Sequence, residues 1–120
     1  SGVTSIGEGA FASCSSLRSV KIPSKVNRIN YHTFNSCTSL TSVTIPNSVK
    51  YLRYNSFAYC RSLSSIVIPK SVEEIQSAAF MGCDALKVVT IENGVKKIYF
   101  LKKKKSVPKG TDFLYILIIQ

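Results

Sequence analysis

Apolar residues recur along the chain with a fixed step, which phenylalanine marks most clearly: Phe34 follows Phe11 by 23 residues. Phe57 and Phe80 continue the series at the same interval. In every unit a cysteine follows the phenylalanine after three residues, a leucine after six and an isoleucine after eleven. A fixed period in this range predicts a solenoid, in which each unit buries its apolar side against the next.

The first pattern within a unit is Leu17-x-x-Val20-x-Ile22, and equivalent residues recur in the three later units. Alternation of these residues with polar ones predicts a short strand with one buried face. A proline follows the isoleucine in the first three units. Because proline has no N–H, it ends the strand and turns the chain.

Two further patterns complete the unit. Apolar pairs such as Val26 and Ile29 predict a second short extended or turn segment. Phenylalanine, cysteine and leucine then follow at i, i+3 and i+6. This spacing favours one helical turn or a 3₁₀ piece on the opposite side of the coil.

These elements define the domain organisation. Four full units are predicted, at 3–25, 26–48, 49–71 and 72–94. A partial fifth unit begins at 95, so the repeat domain covers 1–98. Stacking the units places short parallel strands about 4.8 Å apart on a concave face. Turns and short helical or 3₁₀ pieces form the convex face.

The second and third units carry the residues of a known repeat family. They read Ile45-Pro46-Asn47-Ser48-Val49, then Leu52, Phe57, Cys60, Leu63 and Ile68-Pro69. This phrase resembles the BspA-like leucine-rich repeat, over residues 1 to about 98. The resemblance implies a leucine-rich-repeat solenoid from secreted or cell-surface proteins, which adhere to host proteins or to neighbouring cells. The family's glycine after the second-segment isoleucine is kept only in Ile6-Gly7, which weakens the case for a left-handed backbone there.

The repeat pattern ends beyond Ile98, where Lys103 and Ser106 stand in place of the expected phenylalanine and cysteine. The basic run consists of Lys102, Lys103, Lys104 and Lys105. It is interpreted as a solvated loop or as a candidate anion-binding site for phosphates and anionic lipid headgroups.

The last apolar stretch, 113–119, completes a C-terminal tail that covers 99–120. It is far shorter than the ~20 residues that span a bilayer, so no membrane span is predicted. Its Phe113-x-x-Ile116-x-Ile118 spacing resembles that of the repeat strands. The stretch is therefore interpreted as an imperfect capping strand. The alternatives are an exposed apolar tail, a terminus truncated before a membrane span, or a misread gene end.

The net charge of +10 arises from 16 Lys and Arg against 6 Asp and Glu. More than half of this excess lies beyond residue 95, outside the full repeats. The position of the charge weakens any argument that the solenoid itself binds polyanions.

The four cysteines occupy equivalent positions, one in each unit. Side chains in register stay at least a coil spacing apart, whereas a disulfide needs Cβ atoms within about 3.5–4.5 Å. A tetrahedral zinc site needs four converging sulfurs, and these sulfurs form a line. The pattern favours a ladder of buried thiols that behave as small hydrophobes, with no metal and no cofactor.

Catalytic chemistry is not predicted. His32 is the only histidine, and its position favours a solvated surface residue. Glu73 and Glu74 are adjacent and are expected to point to different sides. No nucleophile elbow, zinc-protease motif or phosphate-binding loop is present in the sequence. The chain is therefore predicted not to be an enzyme.

Tyrosine and arginine cluster in the segments that follow the second apolar pair. Because these residues often dominate interface energies, they form the candidate partner-binding surface. Its members are Arg28, Tyr31, His32, Tyr51, Arg53, Tyr54, Tyr59 and Arg61. The alternative is that these side chains only cover neighbouring coils.

The sequence thus predicts a non-catalytic protein-binding or adhesion module, a fragment of a larger repeat protein. By family resemblance the parent lies at the cell surface or is secreted, and its partner is an extracellular-matrix or cell-surface protein. No signal peptide is evident in the sequence.

Two alternatives remain open. In the first, Arg28, Lys50, Arg53, Arg61 and the lysine run bind a sulfated glycan or, less favoured, nucleic acid. In the second, the segment is a structural spacer in a longer array.

Overall fold

The structure is a computed structural model that describes residues 2–92, 97–98 and 113–117. Coils 1 to 4 below denote the 23-residue units that begin at Val3, Val26, Val49 and Val72. Nine strands lie within the described residues. They are β1 (Ser19–Lys21), β2 (Arg28–Ile29), β3 (Ser42–Thr44), β4 (Tyr51–Leu52), β5 (Ser65–Ile68), β6 (Glu74–Ile75), β7 (Val88–Glu92), β8 (Lys97–Ile98) and β9 (Phe113–Leu117).

The predicted strand of each coil forms and pairs in parallel with its equivalent in a neighbouring coil. Strand β1 pairs with β3, with Val20 opposite Val43, and β5 pairs with β7, with Ile66 opposite Val89. Side chains alternate between exposed and buried along β5. The short parallel strands of a leucine-rich-repeat solenoid are therefore confirmed.

The second apolar segment also contains a short strand in coils 2, 3 and 4, and again at Lys97–Ile98. Strands β2, β4, β6 and β8 form one parallel sheet, in which Ile29 lies opposite Leu52 and Leu52 opposite Ile75. The sheet thus repeats one short segment from coil to coil, and it fixes where the residues that follow each segment emerge.

Strand β9 pairs antiparallel with β7, with Ile116 opposite Val89. Its direction is therefore opposite to that of the repeat strands. The lysine run 102–105 lies outside the described residues, as does most of the tail 99–120, so the predicted division at residue 98 stays a prediction.

The side opposite the strands is a succession of turns. In coil 1 the N–H groups of Ala10, Ala12 and Cys14 donate to carbonyls three residues back. The intervening N–H groups, such as that of Phe11, donate instead to coil 2. Because alternate N–H groups serve the neighbouring coil, they are not free to build a helix.

The predicted helical turn or 3₁₀ piece is thus not confirmed within the described coils, where this segment forms turns. Left-handed backbone explains the interruption. It recurs at two positions per coil, with φ between 57° and 71°. The first set is Gly9, His32, Asn55 and Ala78, and the second is Ser13, Ser36, Tyr59 and Gly82. Neither set includes the Gly7 position, where the family places its glycine.

The core is a column of side chains that runs through all four coils. Rings of Phe11, Phe34, Phe57 and Phe80 lie parallel, with centroids 5.3–5.5 Å apart. Phe34 and Phe57 are fully buried, whereas Phe11 in coil 1 is 38% exposed. A middle coil is covered on both sides and the first described coil on one, so the apolar gain differs between them.

We predict that Phe57→Ala destabilises the protein by about 3–5 kcal/mol, because it leaves a cavity between two stacked rings. Phe11→Ala should cost only about 1–2 kcal/mol, because that ring already faces solvent on one side. Urea denaturation followed by circular dichroism measures both. Equal losses would show that stacking depth does not control stability.

We also predict that Ala78→Gly stabilises the protein by about 1 kcal/mol, because it removes the Cβ clash of a left-handed alanine. Ala85→Gly is the matched control, since Ala85 is half-buried in the same coil without a positive φ. The control should lose about 0.5–1 kcal/mol through added freedom of the unfolded chain. Destabilisation of both variants would contradict the role assigned to the left-handed position.

Candidate functional site

The site begins with two exposed tyrosines in neighbouring coils. Tyr31 lies two residues after β2 and Tyr54 two residues after β4. Strand pairing places them in one column, and their side chains are 37% and 46% exposed. In coil 4 the same column continues with Ser77, so the row of large rings ends there.

An open groove of about 550 Å³ lies at this step in the column. It is lined by Tyr31, Tyr54, Glu74, Gln76 and Ser77. The change from tyrosine to serine leaves room beside Tyr54. Of the five lining residues, the sequence predicted the two tyrosines as binding residues.

A fixed hydrogen-bond network forms the polar side of the groove. The Tyr54 N–H donates to Gln76 Oε1 at 3.0 Å, and Gln76 Nε2 donates to Glu74 Oε1 at 3.3 Å. Arg53 Nη1 lies 3.7 Å from the same Glu74 oxygen. The amide and the carboxylate are therefore held in place, and the charge of Glu74 is balanced within the protein.

The turn-side backbone also changes at the groove. Gly9 donates its N–H to the Tyr31 carbonyl, and His32 donates to the Tyr54 carbonyl. Within the coils that the structure describes, the equivalent bond from Asn55 to Ser77 is not formed. One backbone hydrogen bond of the series between coils is therefore missing beside Ser77, although those on either side, from Gln76 to Leu52 and from Phe57 to Ala79, are formed.

Four other predicted binding residues form two similar contacts within coil 3. The Arg53 guanidinium lies 4.5 Å from the centroid of the Tyr51 ring, and that of Arg61 lies 5.4 Å from the centroid of the Tyr59 ring. Each arginine also forms an ion pair with coil 4, Arg53 with Glu74 and Arg61 with Asp84.

The Tyr59 ring packs directly against Gly82, where the Cβ of any other residue would clash with the ring atoms Cδ1 and Cε1. Tyr59 is also half-buried, as is Tyr51. Tyr59 therefore covers part of coil 4, and Arg53 and Arg61 are engaged in ion pairs with it, whereas Tyr31 and Tyr54 are exposed. A binding role for any of these residues stays a prediction.

The basic residues proposed for anion binding are largely neutralised within the repeats. Lys50 lies 3.7 Å from Glu73, in addition to the ion pairs of Arg53 and Arg61. Arg28 is exposed on β2. The two exposed pairs, Lys50–Glu73 and Arg61–Asp84, add little stability, but all three pairs reduce the positive charge that the repeats present to a polyanion.

His32 is exposed at one of the left-handed positions. Its Nδ1 atom lies 2.9 Å from the amide nitrogen of Asn35. This local hydrogen bond within one turn gives the imidazole an evident role in turn geometry. Among the described residues, no group of three or more His, Cys, Asp or Glu side chains converges as a metal site would require.

The cysteines of coils 2 to 4 are buried, each donating its thiol to the carbonyl of the phenylalanine one coil earlier. Sulfur–oxygen distances are 3.1 Å for Cys37, 3.2 Å for Cys60 and 3.0 Å for Cys83. Burial raises the pKa of Cys37, and the hydrogen bond with Cys83, followed by burial, raises the pKa of Cys60. The cysteine ladder thus satisfies carbonyls inside the core.

The model of the BspA type leucine-rich repeat region matches residues 1–101, with 6 copies. The chain belongs to the BspA-type leucine-rich repeat family. No curated protein matches it in sequence.

Three solved structures resemble this BspA-type chain. A leucine-rich repeat protein of T. pallidum is 34% identical, with a TM-score of 0.73 over 80% of this chain and 45% of that one. A leucine-rich cell surface protein of Faecalibacterium prausnitzii A2-165 is 30% identical, with a TM-score of 0.69 over 92% of this chain and 28% of that one. A leucine-rich repeat protein of Bacteroides ovatus ATCC 8483 is 31% identical, with a TM-score of 0.65 over 80% and 28%. The BspA-type chain thus spans less than half the length of each.

Sequence reasoning missed Glu74, Gln76 and Ser77 as lining residues. The available signal was the tyrosine column itself, because the third residue of the column is Ser77. The hydrogen bond from Tyr54 to the side chain of Gln76 had no such signal.

Within the described part of the BspA-type chain, no helix is long and apolar enough to cross a bilayer.

We predict that the half-buried Cys14 reacts first with a thiol reagent at pH 8, and that Cys37, Cys60 and Cys83 react only as the protein opens. All four should react in denaturant. Because folding raises the pKa of Cys37 and Cys60, the unfolded chain releases these two protons first as pH rises. The free energy of unfolding is therefore unaffected by these thiols below the unfolded pKa of about 8.5, and it falls as pH rises above that value. Mass spectrometry of timed labelling measures the order, and equal rates at all four would contradict it.

Proposed function

We propose that this chain is a non-catalytic protein-binding module whose contact surface is the tyrosine-flanked groove. Membership of a leucine-rich repeat family supports a binding scaffold. The module recognises its partner by surface complementarity, and it needs no cofactor. Its stacked core supplies a rigid support, so binding requires little ordering of the backbone.

The exposed pair Tyr31 and Tyr54 carries the proposal. Tyrosine supplies a large apolar face and a polar tip at a low cost in side-chain entropy, and for this reason it is enriched at the centres of interfaces. These two rings stand in register in adjacent coils and flank a groove with fixed polar groups. The other arginine and tyrosine candidates mainly join coils 3 and 4.

The cell surface is the proposed location, and adhesion to an extracellular-matrix or cell-surface protein is the proposed role. The Faecalibacterium prausnitzii relative is a leucine-rich cell surface protein, and this chain covers 28% of it. Because the match covers only part of that relative, adhesion and a cell-surface location are proposed for the whole protein that carries these repeats.

Binding to a sulfated glycan is the second candidate function, and the net charge of +10 favours it. Arg28 and the lysine run would carry that activity, because Lys50, Arg53 and Arg61 have acidic partners. A polyanion complex loses affinity steeply with added salt, whereas contacts centred on tyrosine do not. Salt dependence therefore separates the two functions.

We predict that Tyr31→Ala combined with Tyr54→Ala weakens binding at least tenfold, a loss of about 1.4 kcal/mol, because it removes the aromatic side of the groove. Surface plasmon resonance against a panel of extracellular-matrix proteins and heparin, at low and physiological salt, measures the loss. Deletion of residues 99–120 should leave protein binding unchanged.

The matched control combines Val67→Ala and Val88→Ala, since both valines are exposed on the strand side, away from the tyrosines. This variant should bind like the parent chain. Loss of binding in the control alone would move the contact to the strand face. Loss of binding at higher salt, or after deletion of residues 99–120, would assign binding to the lysine run. If the parent chain binds no member of the panel, the result favours the alternative that this segment is a structural spacer.

A further inference from the structure

The groove has two kinds of surface that together define a ligand class. The tyrosine column supplies aromatic faces and phenolic hydroxyls at Tyr31 and Tyr54. Coil 4 supplies a carboxylate, an amide and a hydroxyl at Glu74, Gln76 and Ser77. A small number of placed polar groups beside apolar surface is the usual composition of a ligand site.

The polar groups retain free hydrogen-bonding capacity. Arg53 and Gln76 both contact Oε1 of Glu74, which leaves Oε2 without a partner among the described residues. In the same part of the chain, the Ser77 hydroxyl has no protein partner. The carboxylate oxygen accepts hydrogen bonds, and the serine hydroxyl both donates and accepts them.

Charge narrows the choice of ligand. An anion would find no cationic side chain among the five lining residues, and it would face the Glu74 carboxylate. A cation would compete with Arg53, which already balances Glu74 and lies 3.7 Å from it. A neutral ligand with several hydroxyls would use the free oxygen and Ser77 without disturbing that ion pair.

The aromatic side of the groove, formed by Tyr31 and Tyr54, narrows the choice of ligand further. A pyranose ring presents polarised C–H groups on one face, and these complement the negative face of an aromatic ring. Its hydroxyls project from the edge, towards acceptors and donors at the side of the ring. The space beside Tyr54, left by the small side chain of Ser77, is where such a ring would stack.

We propose that the groove between Tyr54 and Ser77 is a subsite for a neutral saccharide unit carried by the protein partner. The inference rests on the proposed function, because it names the part of the partner that the groove recognises. A bare peptide in the groove is the competing occupant, and the test below separates the two.

The first experiment titrates the ¹⁵N-labelled full chain with four neutral oligosaccharides, built from glucose, galactose, mannose and N-acetylglucosamine. A heparin hexasaccharide is the charged comparison. We expect one or more neutral sugars to shift the amide signals of Tyr54, Gln76 and Ser77, at concentrations of about 10 mM, which saturate a Kd of about 1 mM.

Ser77→Tyr extends the tyrosine column and fills the groove, so it should raise Kd for that sugar at least tenfold. Ser65→Tyr is the matched control, because it adds the same ring at an exposed position of β5 on the strand side. The control should keep the parent Kd. Thermal melting should show that both variants remain folded.

The inference is overturned if none of the four neutral sugars shifts these signals, if only heparin does so, or if the shifts fall on β5 and β7. It is also overturned if a protein partner keeps its groove-dependent affinity after enzymatic removal of its glycans. That last result leaves the proposed protein-binding function standing. Failure of the Tyr31 and Tyr54 double variant to weaken protein binding would instead remove the proposed function.

Discussion

Burial between coils in register is the constraint on which the whole molecule depends. No coil encloses its own apolar residues, so Phe34 is fully buried only because coils on either side supply Phe11 and Phe57. The same register aligns the strands, carries backbone hydrogen bonds between turns and brings each thiol to a carbonyl one coil earlier. Because all these contacts share one 23-residue step, a change of register would disrupt them together.

Departures from the repeat create the features that distinguish one coil from another. Coils 3 and 4 are joined by three ion pairs, two of which also hold an arginine over a tyrosine ring. At the same junction the tyrosine column gives way to Ser77, and the hydrogen bond expected from Asn55 is missing. A perfect repeat would have offered a uniform surface, so the groove exists because the repeat is imperfect. Chemistry specific to this chain is therefore concentrated where the period fails.

The turn side shows how a local pattern can suggest the wrong element. The i, i+3, i+6 spacing of Phe34, Cys37 and Leu40 fits a helical turn, and the structure has turns there. A helix satisfies its own N–H groups, whereas here alternate N–H groups must reach the next coil. Left-handed residues at two positions per coil allow this alternation. Only two of these eight residues are glycines, Gly9 and Gly82. Side chains such as those of Ala78 and His32 gave little sign of that backbone.

The sequence by itself determined the period, the strand positions, the buried column and the family. It could do so because the same positions are apolar in every 23-residue unit, and these are the positions that become buried. It also singled out Tyr31 and Tyr54 as candidate binding residues in one column, since both occupy the same position of the repeat unit. Only the tertiary structure decided which polar residues are engaged: Arg53 and Arg61 are committed to coil 4, and Glu74 and Gln76 line the groove. These contacts depend on how far each side chain reaches across to the neighbouring coil, which the order of residues along one coil does not encode.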